Sequence, residues 1–140
     1  MARINISKVI LGGLVAGVVI NISEYILNVP VFGAEMEAIM AQHNIPPMGG
    51  GVIGLFMLLG FVLGIALVWL YAAIRPRLGP GPKTAAVAGV VVWVLAYLYS
   101  GAAFCALGLI TNRLFIIGLI WGLVELIVAG IAGAWLYSEA

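Results

Sequence analysis

Four stretches of this chain, at about residues 6–29, 50–74, 84–110 and 113–137, run almost unbroken through apolar residues. A bilayer whose hydrocarbon core is about 30 Å thick needs ~20 helical residues to cross, and each stretch is long enough. Their continuous apolar character, with no alternation at period two, points to helices and excludes a β-barrel. Only 8% of the residues are charged and 65% are apolar, where soluble domains carry roughly 25% charged residues. No water-facing surface can be built from that supply. The sequence therefore reads as an all-α integral membrane protein, a single four-helix transmembrane domain over residues 1–140, with no extramembrane catalytic module.

The stretches are related in pairs. Gly64-Ile65-Ala66-Leu67-Val68-Trp69-Leu70-Tyr71 returns as Gly130-Ile131-Ala132-Gly133-Ala134-Trp135-Leu136-Tyr137, and Val15-Ala16-Gly17-Val18-Val19 returns unchanged as Val87-Ala88-Gly89-Val90-Val91. Helix 1 thus matches helix 3, and helix 2 matches helix 4. This implies two tandem hairpin repeats, residues 1–78 and 79–140. Matched helices cross in the same direction, so the repeats are expected to be parallel and related by an axis along the membrane normal.

Orientation follows from basic residues in short loops. Arg3, Lys8, Arg75, Arg77 and Lys83 fall on one side and Arg113 alone on the other, which places both termini in the cytoplasm. The first stretch is read as a retained helix. It is longer than a signal-peptide core, contains Glu24 and lacks a small-x-small cleavage site. The two Trp-Leu-Tyr ends are expected at one level, with their rings at the cytoplasmic interface. The prolines of Arg75-Pro76-Arg77-Leu78-Gly79-Pro80-Gly81-Pro82-Lys83 are expected to stop helix 2, as Asn28 and Pro30 are expected to break helix 1.

Between helices 1 and 2, residues 34–43 place Met36, Ile39, Met40 and His43 on one helical face. A short amphipathic surface helix on the outer side fits this spacing. Met36, Met40 and His43 are also a weak candidate set for Cu(I), although methionine is an ordinary filler of an apolar face. No cofactor is expected. The only histidine lies outside the spans, which argues against haem ligation. Cys105 has no partner for a disulfide or a metal, and no nucleotide loop or basic stripe for nucleic acid occurs.

Glycines four apart (Gly13 and Gly17, Gly50 and Gly54, Gly60 and Gly64, Gly118 and Gly122) are expected to let helix backbones approach closely. They are more numerous than one small bundle requires, which suggests a homo-oligomeric or partner-facing seam.

Two glutamates lie within the spans, where a carboxylate costs at least a few kcal/mol and so faces a bundle interior or a partner. Glu24 is in the outer third of helix 1 and Glu125 near the middle of helix 4. At ~1.5 Å per residue their levels differ by roughly 9 Å in an untilted bundle, so a link between them requires other polar groups. Asn21 and Asn28 flank Glu24 at i−3 and i+4, and Tyr97 on helix 3 is a further candidate. In the repeat alignment Glu24 faces Ala96, Glu125 faces Leu59 and Tyr25 matches Tyr97, so the acids break the symmetry. A carboxyl out of water favours its neutral form, which suits either a proton or cation site or a lock between helices.

The run from Ile10 to Asn28, a Gly-rich first helix ending in Asn-x-x-Glu-aromatic, followed by the Met36/Met40 segment, resembles uncharacterised small four-helix bacterial inner-membrane proteins. The resemblance spans mainly residues 10–40. It implies a bacterial inner-membrane location and no assigned activity. Small multidrug exporters share the length, the four helices and a helix 1 glutamate, but here that glutamate lies near the outer end and the rest of the chain is unlike theirs. These features together point to a non-enzymatic accessory subunit of a larger membrane complex or a self-associating scaffold, with lipid and other membrane subunits as partners. The alternative is a small oligomeric proton- or cation-coupled transporter using Glu24 and Glu125.

Overall fold

The computed structural model describes residues 3–140. All of its regular structure is helical: α1 (Ile6–Ile26), α2 (Gly33–Gln42), α3 (Gly50–Leu78), α4 (Pro82–Trp93), α5 (Tyr99–Ala106) and α6 (Asn112–Trp135). Short π-helical turns at Leu27–Val31 and Val94–Leu98 extend α1 and join α4 to α5. Four continuous helical segments are long and apolar enough to cross a membrane: a first span at Ile6–Val31, a second at Gly50–Leu78, a third at Pro82–Ala106 and a fourth at Asn112–Trp135. This is a helical multi-pass membrane protein.

Local chemistry sets the helix ends. Asn5 caps α1 by accepting from the Lys8 amide at 3.2 Å, and Thr111 caps α6 by accepting from the Leu114 amide at 3.2 Å, each satisfying an amide with no intrahelical partner. Two expected breaks are corrected. The first span runs through Asn28 and Pro30 to Val31, because a π turn with Phe32 N–H donating to Leu27 O absorbs the proline. The second span runs through Pro76 to Leu78 and stops at Gly79 (φ +85°) and Gly81 (φ +124°). Positive φ, which glycine adopts without a Cβ clash, makes this turn. Pro82 then opens α4 at a position that has no intrahelical amide bond to lose.

The first span packs on the second and fourth, and the third also packs on the second and fourth. The halves of the second and fourth spans nearer Tyr71 and Tyr137 meet across the middle. There Leu67, Val68, Tyr71, Leu126 and Ala129 are buried together with Ala16, Ile20, Ala85 and Ala88. Glycine makes these seams. A Cβ on Gly64 would stand 2.5 Å from Gly13 O, and one on Gly130 would stand 3.0 Å from Ala85 O. Gly13, Gly17 and Gly122 are similarly crowded, Gly60 lies against the Asn21 side chain, and Gly12, Gly89 and Gly133, whose sequence spacing gives no hint of it, belong to the same set. Gly118, Gly50 and Gly54 have nothing within 4 Å. Gly118 therefore makes no close approach to another span within this chain.

The aromatic ends divide rather than lining an interface together. Trp69 and Trp135 point outward, at 48% and 85% exposure, whereas Tyr71 and Tyr137 are buried. The two tyrosine rings meet edge to face, 5.9 Å between centroids. Tyr71 Oη accepts from the Gly81 amide and Tyr137 Oη from the Asn5 amide, both at 3.2 Å. Arg75 lies over the Tyr137 ring and pairs with Glu139 at 3.4 Å.

At the other end, α2 folds back on the bundle. Met36 and Ile39 pack on a small cluster of Leu27, Phe32 and Leu114, and Glu35 forms an ion pair with Arg113. The second span behaves differently. Residues 50–59 are exposed on all sides, and the last tie to the first span is Asn21 Nδ2 donating to Met57 O at 3.1 Å.

Candidate functional site

The halves of the first, third and fourth spans nearer α2 converge on one polar cluster. Tyr97 Oη lies 2.9 Å from Glu24 Oε1 and 2.6 Å from Glu125 Oε1. Ser23 Oγ donates to Glu125 Oε2 at 2.6 Å, and Trp121 Nε1 donates to Ser23 Oγ at 2.8 Å. On the far side Asn28 Nδ2 donates to Glu24 Oε2 at 2.8 Å and to the Glu24 carbonyl oxygen at 2.9 Å. Side chains from three spans are thus joined to Glu125 in one chain of hydrogen bonds.

Each member is delivered by a specific piece of backbone. Ser23 and Glu24 are consecutive on α1, so they reach two different neighbours, the fourth span and the third. Glu125 sits mid-way along α6, 4% exposed, within a turn of Gly122, and the absence of a side chain at Gly122 makes room for the Tyr97 ring. Tyr97 itself is carried by the π turn Val94–Leu98, where Tyr99 N–H reaches back five residues to Val94 O. The repeat counterpart, Tyr25, precedes the π turn of its own span and is 65% exposed. A residue added to a turn rotates the downstream side chains by about 100° relative to a regular helix. Tyr97 therefore points in where Tyr25 points out.

The offset between the glutamates is smaller than an untilted bundle implies. Counted from the close approach of Gly12 to Gly133, Glu24 and Glu125 lie about 18 Å and about 12 Å along their spans toward the α2 end at 1.5 Å per residue. The side chains of Tyr97 and both glutamates span the difference.

The bonding also restricts the protons. A phenol has one proton to donate, yet Tyr97 Oη is within hydrogen-bond distance of two carboxyl groups. Tyr97 donates to one carboxylate, and the second contact is a hydrogen bond when the other carboxyl is protonated and donates to the phenol oxygen. Ser23, whose oxygen accepts from the indole, donates to Glu125. Neither glutamate has a basic partner among the described residues, where the ion pairs are Arg75–Glu139 and Arg113–Glu35.

Beside Glu125 a cleft of about 470 Å³ opens between the first and fourth spans. Val19, Ile117, Ile120, Val124 and Val128 form its walls, and Ser23, Trp121 and Glu125 complete the lining. No sequence pattern announces it, because Ser23 and Trp121 gain a role only when the spans are docked.

The structure brings Glu24, Glu125, Tyr97 and Asn28 together and leaves Asn21 on the second-span seam. Met36, Met40 and His43 do not act as a set: Met36 is engaged in packing, and His43 is exposed with Nδ1 2.9 Å from Ile39 O. Among the described residues no group of three or more His, Cys, Asp or Glu is placed to hold a metal ion. No protein-family model, curated protein or solved structure matches this chain.

Proposed function

We propose that this chain is a non-enzymatic multi-pass membrane protein, an accessory subunit of a larger membrane complex or a self-associating scaffold. Its outer second span would be the surface that meets the partner. The observation carrying this reading is that residues 50–59 are exposed on all sides while Gly50, Gly51 and Gly54 stand open. Glycine in a helix interior costs about 1 kcal/mol relative to alanine, and in lipid a small residue stabilises only where another helix approaches. The cost is offset within the chain at Gly13, Gly17 and Gly64. At Gly54, an interior position with nothing within 4 Å, a second polypeptide would offset it.

The rest of the reading has its own support. The basic residues Arg75, Arg77 and Lys83 favour a cytoplasmic side at the Tyr71/Tyr137 end, with α2 lying on the outer face of a bacterial inner membrane. The tandem repeat is supported by matching seams. Gly64 against Gly13 O recurs as Gly130 against Ala85 O, each residue displaced by its own repeat spacing.

The test is a cysteine at Gly54 or Phe56 in a Cys105→Ser background, cross-linked in native membranes, with mass spectrometry of a mild-detergent preparation. A cross-linked homodimer or a co-purifying polypeptide attached at that position is the expected result. A chain that stays monomeric, linked to nothing at either position, would sink the reading.

A second reading, proton- or cation-coupled transport, would draw on the Tyr97 bridge, which brings the Glu24 and Glu125 carboxyl groups to one phenol oxygen. A pH-driven flux in proteoliposomes that disappears in Glu125→Gln, with assembly intact, would select it over the first.

A further inference from the structure

We propose that a recess beside Tyr137, where the first, second and fourth spans end together, seats the phosphodiester headgroup of an anionic phospholipid. The recess is about 190 Å³, lined by Arg3 and Glu139 among apolar residues that include Ala72, Ala73 and Pro76. The small side chains at Ala72 and Ala73 leave the space. Sites for whole small molecules run from about 300 to 1,000 Å³, so this one suits a single group whose acyl chains stay in the bilayer. The bond from the Asn5 amide to Tyr137 Oη and the contact of Tyr137 with Tyr71 put the three span ends at one level. Apolar spans end where hydrocarbon gives way to headgroups, and a bilayer holds its phosphates at that level permanently. A soluble anion would have to be drawn from dilute solution.

Charge decides what kind of headgroup. Arg3, Lys8, Arg75, Arg77 and Lys83 lie at this end against one acid, Glu139, whereas Arg113 is set among Glu35 and Glu37 at the other. Arg75 adjoins the recess through two of its lining residues. Its guanidinium lies 5.5 Å from the centroid of the Tyr137 ring, and Nη1 is 3.4 Å from Glu139 Oε1. That pair is long beside the about 2.7–2.9 Å of a charge-assisted hydrogen bond. Arg75 Nε is buried with no hydrogen-bond partner among the described residues, and a buried N–H without an acceptor is costly. This guanidinium is therefore short of acceptors at the edge of a space. Arg3, which is exposed and lines the same recess, brings a second one. Phosphate oxygens match the planar fork of arginine donors, and basic pockets between membrane helices bind anionic headgroups. Two arginines against one acid leave the recess net positive. A group with one negative charge and no ammonium is the complement, because the ammonium of a zwitterionic headgroup would stand among the surrounding cations.

This inference concerns a different end of the molecule from the second-span surface, so it is independent of whether the protein is a scaffold or a carrier. The purified full chain in dodecylmaltoside micelles is titrated with dioleoyl-phosphatidylglycerol or dioleoyl-phosphatidylcholine, and bound lipid is counted by native mass spectrometry. The two lipids share their chains and differ in headgroup charge. One phosphatidylglycerol per chain is expected, held at least tenfold tighter than phosphatidylcholine. Arg3→Gln and Arg75→Gln should each weaken it at least fivefold. Ala73→Leu, which fills the recess and keeps every charge, should do the same. Lys83→Gln removes a cation of the same end from outside the recess and should change the affinity less than twofold. Equal affinity for the two lipids, or a loss in Lys83→Gln as large as in Arg3→Gln, would overturn the proposal and make this end a diffuse basic surface. Phosphatidylglycerol should also stay bound in millimolar inorganic phosphate; its displacement would make the recess a site for a free anion and overturn the lipid assignment. If Arg75→Gln fails to fold, Arg3→Gln, at an exposed residue ahead of the first span, and Ala73→Leu still decide it.

Discussion

The seam between the first and second spans makes a quantitative prediction from a single methyl group. In Gly64→Ala the new Cβ would stand 2.5 Å from Gly13 O and 2.5 Å from Gly17 N. Carbon contacts are comfortable at about 3.5–4.0 Å, so the helices must part by about 1 Å. Both obstacles are backbone atoms, so no side chain can swing aside. Overpacking of this kind costs about 1–3 kcal/mol. Alanine also gains up to about 1 kcal/mol of helix propensity over glycine, which would blur the result if it were read alone. Gly54→Ala removes that ambiguity. Gly54 is also within the helix but has nothing within 4 Å, so it takes the same gain without the clash. The difference between the two variants isolates the steric cost, roughly 5- to 150-fold in the unfolding constant. Gly130→Ala, at 3.0 Å from Ala85 O, should fall between them. Reversible unfolding of monomeric protein in mixed micelles, titrated with SDS and followed by circular dichroism, measures all three. A Gly64→Ala protein no less stable than Gly54→Ala would refute the close backbone approach.

Other consequences can be checked in the same assay. Tyr97→Phe should cost about 0.6–1.7 kcal/mol, the range for interhelical hydrogen bonds in membranes. A double-mutant cycle with Glu125→Gln should show coupling, and strict additivity would mean that the bridge does not form. Gly79→Ala, at φ +85°, should lose about 1–2 kcal/mol to left-handed strain; an unchanged midpoint would mean that the turn has another shape. Arg113→Ala removes an ion pair whose arginine side chain is 61% exposed, so it should cost less than about 1 kcal/mol. A loss that survives high salt would contradict that assignment.

The spans are legible in the sequence because the bilayer sets one dominant requirement, an apolar run of sufficient length, and that requirement is written residue by residue. Their ends are less so. Pro30 and Pro76 look like breaks, yet a π turn absorbs one and the other lies in a last helical turn that Gly79 ends. Glu24, Glu125, Tyr97 and Asn28 stand out by the cost of polar groups in lipid. Their junction does not, because Tyr97 lies inside a π turn whereas Tyr25 precedes the one in its own span, and nothing in Val94-Leu95-Ala96 announces it. Ser23 and Trp121 escape notice for a related reason: a serine and a tryptophan are ordinary in a membrane helix, and their role exists only across the seam between the first and fourth spans. Gly118 shows the converse. Its spacing from Gly122 matches a packing motif, yet only Gly122 meets another helix.

Residues 3–5 and 137–140 also meet. The Ala140 amide lies 3.4 Å from Arg3 O, and the Asn5 amide donates to Tyr137 Oη, while the spans pack in a closed ring: first on second, second on third, third on fourth, fourth on first. Such a ring has no privileged starting point. Joining residue 140 to residue 3 by a short linker and opening the chain between Gly79 and Gly81 would exchange the order of the two hairpins and preserve every seam between them. Lys83 would then lead the chain as Lys8 does now, on the same side of the membrane. In this molecule the linear order of the halves is a matter of genetic layout, and the circular permutant should reach the same native state.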